Sequence, residues 1–262
     1  MQDKQLRTVN VTRYVTPLRE GGSLPAIAEA DDGFLYVLKF RGAGQGPLAL
    51  VAELVAGEIG RTLGLNIPEL VFAQVDPALG RNEPDQEIRD LLRASVGLNL
   101  ALDYLPGSSM FDPAAGNKAD SHTASLAVWF DAFVLNVDRT ARNANLLNWH
   151  SKLYFIDHGA ALYFHHNWPD ADRLADSPFA DVRHHILLPW AAGLEQAAAH
   201  AISRLNPQII TEILAQVPDE WLQSTHPTPT EARAAYLNLL TRRLAASPIF
   251  TQEAIRARAH LI

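Results

Sequence analysis

Not one of the 262 residues is cysteine, so disulfides and thiolate metal centres are excluded and a reducing compartment suits the chain. Long apolar runs are also missing. The longest, around "LAVWFDAFVL", is too short to span a bilayer and carries Asp131. The opening "MQDKQLRTVN" lacks the apolar centre of a secretory leader. There is no surplus of positive charge either: the formal net charge is −7, so no strong nucleic-acid signal is present. These absences lead us to expect a soluble, cytoplasmic protein with no membrane span. Lysine is scarce, with Lys4, Lys39, Lys118 and Lys152 set against eighteen arginines. Three of the four lie in polar surroundings, whereas Lys39 sits inside the apolar "FLYVLKF".

The chain does have enough apolar content to fold. With 48% hydrophobic and 19% charged residues it reads as globular, large enough for one big domain or two lobes. "LPAIAEADDGFLYVLKF" predicts two strands joined at the Asp31-Asp32-Gly33 turn. "LALVAELVAGEIGRTLGL" repeats apolar residues at helical spacing and stops at Gly64. "PELVFAQV" and "SVGLNLALDYL" are strand-like, separated by "DPALGRNEPDQEIRD", which reads as a polar loop. Beyond "PGSSMFDPAAGNKAD" the pattern turns helical, with closing helices expected at about 190–204, 207–217, 229–246 and 251–261. The boundary near 103–110 divides a β-rich part from a helical part, a division that suits a ligand cleft between them.

Residues 136–159, "NVDRTARNANLLNWHSKLYFIDHG", crowd short polar side chains between two apolar runs. Asp138 and Asn143 are five apart, and Asp157 follows fourteen residues later. Hard divalent cations such as Mg²⁺ take oxygen ligands, commonly one or two carboxylates with phosphate oxygens. An Asp and an Asn on facing loops supply such a set, and a second Asp can orient an attacking hydroxyl or accept its proton. Asp138 or Asn143 alone reads first as a turn cap, and only together with the strand ending in "IDHG" do they favour a functional site. Lys39 alone reads as an edge-strand lysine facing water, or as a grip on phosphate oxygens steadied by a glutamate of the next helix. A helical wheel places Glu58, rather than Glu53, within the apolar arc of Val51, Leu54 and Val55. The pairs His165–His166 and His184–His185 read as core or surface residues, since adjacent side chains diverge. Trp149, Trp168, Trp190 and Trp221 read as packing anchors.

Taken in order, Lys39 in a strand, a following helix with a glutamate, "NVDRTARN" and "IDHG" resemble the HipA-like kinases, a branch of the protein-kinase-like fold. The two carboxy-terminal motifs are also similar to those of phosphoinositide kinases. The similarity covers roughly residues 20–215. It implies an α+β, two-lobed fold: residues 1–105 as a small β-rich N-lobe with one main helix, and 106–262 as a mostly helical C-lobe. It implies ATP and Mg²⁺ as cofactors, and transfer of the γ-phosphate to an acceptor hydroxyl, with a Ser or Thr of a protein as the expected acceptor. Asp138 then matches the residue that positions that hydroxyl, and Asn143 and Asp157 match the metal-holding pair. Lys39 matches the lysine on the α/β-phosphates, and Glu53, against the wheel, matches its helix partner. "LDYLPGSSMF" resembles a kinase hinge, with the backbone of Asp103 and Leu105 against adenine. "GGSLPAI" stands where a glycine-rich loop is usual and resembles the "SLPG"-type loop of the family, with Gly22–Pro25, Gly22 and Ser23 among them, covering the phosphates and Ser23 a candidate for autophosphorylation. Two alternatives stay open: a non-catalytic kinase-like module that binds nucleotide or a protein partner, and a transferase of AMP.

Overall fold

The structure, a computed structural model, describes residues 5–18, 24–44, 46–81, 83–223 and 226–261. Five strands form a closed barrel: β1 (Thr8–Pro17), β2 (Ala26–Ala30), β3 (Leu35–Lys39), β4 (Leu70–Val75) and β5 (Gly97–Asp103). Their order is β1-β2-β3-β5-β4, and β1 closes the ring by pairing in parallel with β4, Thr8 opposite Phe72 and Asn10 opposite Gln74. Small side chains make so narrow a ring possible. Ala28, Ala73 and Ala101 share its interior with Val9, Val11, Tyr36 and Leu38. The β2–β3 turn falls at Asp31–Gly33 as its residues predict: Gly33 takes φ 80° and the Asp32 carboxylate accepts from the Phe34 N–H. β1 is an addition to the strands read from the sequence.

Between β3 and β4 runs α1 (Pro47–Leu63), with Pro47 in its first turn and Gly64, at φ 94°, closing its end. Eleven of its 17 residues are buried. One flank packs on Leu70, Leu100 and Leu102 of the barrel, and the rest belongs to the apolar core of the helical part. Gly57 permits that approach, since a Cβ there would lie 2.7 Å from Leu70 Cδ1. Within the stretch expected to be a loop lies α2 (Gln86–Ala94), whose start is capped by the Asp85 carboxylate on the Glu87 and Ile88 N–H groups. Its short apolar stripe, Ile88 and Leu92, was too sparse to stand out between Pro, Asp and Asn.

After β6 (Ser109–Met110) comes α3 (Ser121–Phe133), buried from Ala124 onward, then the hairpin of β7 (Leu146–Trp149) and β8 (Lys152–Phe155). The remaining helices are α4 (Ala171–Ala175), α5 (Leu194–Arg204), α6 (Pro207–Ala215), α7 (Asp219–Leu222), α8 (Pro229–Ala245) and α9 (Ser247–Ala259). Thus α5 begins after Gly193 rather than at 190, and α9 begins four residues before its expected start. α7 straps the helical part to the barrel. Trp221 meets Phe72 edge-on at 5.8 Å and donates to the Leu98 carbonyl, while Glu220 pairs with Arg41 at 2.9 Å. Among the described residues, no helix is long and apolar enough to cross a membrane.

Two buried polar side chains of the helical core, Arg243 and His165, find partners there. Arg243 donates to the carbonyls of Ala132, Phe133, Leu174 and Ser177. His165 is buried with Nδ1 2.9 Å from the Tyr236 hydroxyl, while its neighbour His166 is exposed. Burial, with a smaller push from His166, lowers the His165 pKa to about 3 from its ordinary 6.5. A lowered histidine pKa means that the unfolded chain takes the proton first. Stability is therefore full above pH 6.5 and falls as the pH drops from 6.5 toward 3. Urea unfolding at pH 7 and pH 5 should show the wild type losing roughly 2 kcal/mol more than His165→Gln across that interval. Equal losses would contradict a neutral buried imidazole.

Candidate active site

Lys39, the last residue of β3, is only 9% exposed. Its Nζ lies 2.6 Å from Asp157 Oδ1 and 3.5 Å from Glu53 Oε2. Burial alone would lower the ammonium pKa, but the two carboxylates more than offset it and hold the group above its ordinary range. Glu53 lies on the inner side of α1, 1% exposed, and accepts from the His158 N–H at 3.0 Å. The His158 ring reaches its other oxygen, with Nδ1 3.2 Å from Oε1. Burial pushes the Glu53 carboxyl up, yet Lys39 and His158 outweigh it and hold the group below its ordinary range. Glu58, which the wheel favoured, stands 3.6 Å from Arg61 instead. The wheel fails here because α1 is packed around most of its circumference, so an apolar arc does not single out the face toward Lys39.

Asp157 follows β8 with φ 55°, a left-handed conformation that Asp and Asn tolerate better than most residues. Its side chain is 36% exposed, and its carbonyl accepts from Asn145 Nδ2 at 3.4 Å. The same Asn145 amide lies 3.1 Å from Asp138 Oδ2, which also accepts from Asn143 Nδ2 at 2.6 Å. Two amides therefore aim one carboxylate. Asn145, to which the sequence assigned no role, thereby joins the polar network of the site.

The loop carrying Asp138 is anchored from below. Arg139 points inward, fully buried, with Nε 2.6 Å from Asp131 Oδ2 and NH1 on the Asn145 carbonyl. Asp131, on α3, also meets Asn136 Nδ2 at 2.8 Å and His185 Nε2 at 2.8 Å. Burial raises the Asp131 pKa, but Arg139 and His185 outweigh it and hold the carboxyl well below the usual carboxylate range. Thr140 bridges to His185 across the loop, and the Ile186 N–H donates to the Arg139 carbonyl. His185 is thus a structural partner, and His184 beside it is exposed. Among the described residues, no group of three His, Asp or Glu side chains is arranged as a metal cluster.

Lys39, Glu53 and Asp157 come together, and Asn145 links Asp157 to the Asp138–Asn143 pair. The Asp103 side chain does not join them. It opens onto a recess of about 380 Å³ shared with Arg61, Glu69, Trp149 and Tyr154. Its carboxyl is pushed up by burial and then by Glu69. Leu105 is buried, and its carbonyl accepts from the Ser108 N–H. Gly22 and Ser23 lie outside the described residues.

A family profile for HipA-like kinases matches residues 11–250. A search of curated proteins finds no match. Among solved structures, the Helicobacter pylori proinflammatory kinase CtkA aligns with a TM-score of 0.55 at 14% identity, over 95% of this chain and 98% of that one. The Golgi casein kinase aligns at 0.49 with 10% identity, over 95% and 74%, and its Mn/ADP-bound form at 0.46 with 12% identity, over 98% and 72%. The likeness to CtkA shows a kinase-like fold. With the profile matching most of its length, the chain belongs to the HipA-like kinase family.

Proposed function

We propose that the chain is an ATP- and Mg²⁺-dependent phosphotransferase that moves the γ-phosphoryl group of ATP to a Ser or Thr hydroxyl of a protein. The observation that carries this reading is the buried ammonium of Lys39, held between Glu53 and Asp157 beside the loop of Asp138. In-line phosphoryl transfer needs positioning and charge neutralisation more than covalent chemistry, and these side chains supply both. In this reading the barrel and α1 (residues 1–105) form an N-lobe and residues 106–262 a C-lobe. Adenine would lie against the backbone of Asp103 and Leu105, and Gly22 and Ser23 would cover the phosphates.

The donor chemistry fits a hard cation. Asp157 offers a partly exposed carboxylate. Asn143 directs its amide NH₂ at Asp138, which leaves its amide oxygen as the cation-binding atom. Asp157 and Asn143 would hold Mg²⁺, which when bound neutralises charge developing on the phosphate oxygens. Lys39 exchanges its contact with Asp157 for the α/β-phosphates, while Glu53 keeps the ammonium in place. Asp138, oriented by Asn143 and Asn145, aligns the acceptor hydroxyl and receives its proton.

Mass spectrometry of the chain and of candidate acceptor proteins after incubation with Mg²⁺–ATP tests the reaction class. A gain of phosphate is expected. A gain of AMP would instead assign nucleotidyl transfer, and no product with no ATP consumed would assign a binding module. Asp157→Asn should abolish Mg²⁺–ATP turnover while the chain still unfolds in one cooperative transition, and retained turnover would remove Asp157 from the metal site. Asp138→Asn should lower kcat by about 10²-fold or more while the KM for ATP stays within a few-fold, since it touches the acceptor and not the nucleotide. A KM change that carries the whole loss would contradict that assignment.

A further inference from the structure

The family resemblance pairs Glu53 with Lys39, but the distances rank its contacts differently. Its two oxygens are taken by His158, at 3.0 Å from the backbone N–H and 3.2 Å from Nδ1. Lys39 stands farther off, 3.5 Å away, and makes its close contact, 2.6 Å, with Asp157. The His158 ring is fully buried and rests edge-on against Phe130 at 5.7 Å. A carboxylate only accepts, so Nδ1 carries the proton in this pair. One residue thus ties the helix glutamate to the segment that bears Asp157.

From this geometry we propose that His158 is a positioning residue for nucleotide binding: it presets the Glu53 carboxylate so that Lys39 is held for phosphate without help from any other segment. The proposal rests on the reading of Lys39 as a phosphate grip. When a phosphate takes Lys39 from Asp157, the ammonium still needs an anion that does not follow Asp157. Glu53 is that anion, and it stays because both its oxygens are hydrogen-bonded to the neighbouring residue. A phenylalanine in the same place would fill the space over Phe130 but supply only the backbone donor. The Glu53 carboxylate could then rotate, held only by that backbone N–H and by Lys39.

Two variants separate the donor from the ring. His158→Phe keeps the aromatic contact and loses Nδ1, whereas His158→Asn loses the ring and keeps an amide donor near the Nδ1 position. ATP affinity in Mg²⁺, read by competition against a fluorescent nucleotide, should weaken about tenfold in His158→Phe, the size of one lost hydrogen bond to a charged group. His158→Asn should recover most of that loss. In a Glu53→Gln background, His158→Phe should add little, because its effect runs through the carboxylate. Unchanged affinity in His158→Phe, equal losses in both variants, or full additivity with Glu53→Gln would each overturn the proposal. Should His158→Phe not fold, the asparagine variant decides: near-wild-type affinity supports the donor role and a loss near tenfold overturns it. Failure of the wild-type chain itself to bind Mg²⁺–ATP would instead overturn the underlying reading of the site, and the proposal with it.

Discussion

A carboxylate buried to 1% exposure inside an apolar helix cannot stand alone, and the architecture around Glu53 follows from that constraint. Two other chain segments must meet it. β3 brings Lys39, and the segment after β8 brings the backbone N–H and the ring of His158. Removing one partner of such a buried set costs about 3–5 kcal/mol, because the other charge stays in place without compensation. The requirement therefore locks the barrel, α1 and the segment after β8 into one register. It also leaves Lys39 with its charge in a nearly dry place, where a phosphate is attracted far more strongly than at a wet surface.

A second buried carboxylate does the same work one layer lower. Asp131 gathers Arg139, Asn136 and His185, and Arg139 in turn holds the carbonyl of Asn145. Because Arg139 is drawn inward, Asp138 beside it is presented outward. Asn145 then connects the two layers, its amide reaching both Asp138 and the Asp157 carbonyl. Asn145 and Asp157 both sit at positive φ, 49° and 55°, where their short polar side chains are tolerated. The polar crowd between residues 136 and 159 is thus divided in role: some side chains face the site, and others hold its floor.

The local features were legible from the residues. The β2–β3 turn, the extent of α1 with Gly64 at its end, the strand position of Lys39 and the apolar α3 all depend on patterns within a short window. What escaped depends on contacts distant in the chain. β1 is a strand because residues 11–17 pair with residues 26–30 and residues 8–10 find residues 72–74, and the parallel pairing leaves no signature near either segment. The wheel favoured Glu58 because it assumes one wet face, and α1 has little of one. Asn145 and His158 carried no single-residue signal of their own, since each is defined by partners that folding alone brings near. The charges in the site could be guessed from spacing, but the groups that aim them could not.

The most direct measurement is a calorimetric titration of the chain with ATP, run once with Mg²⁺ and once with the metal chelated. If Lys39, Glu53 and Asp157 form a nucleotide and metal centre, saturable heat appears with Mg²⁺ and weakens sharply without it. Absence of saturable heat in Mg²⁺, or heat indifferent to the metal, would contradict the reading of the buried lysine as a grip on metal-bound phosphate.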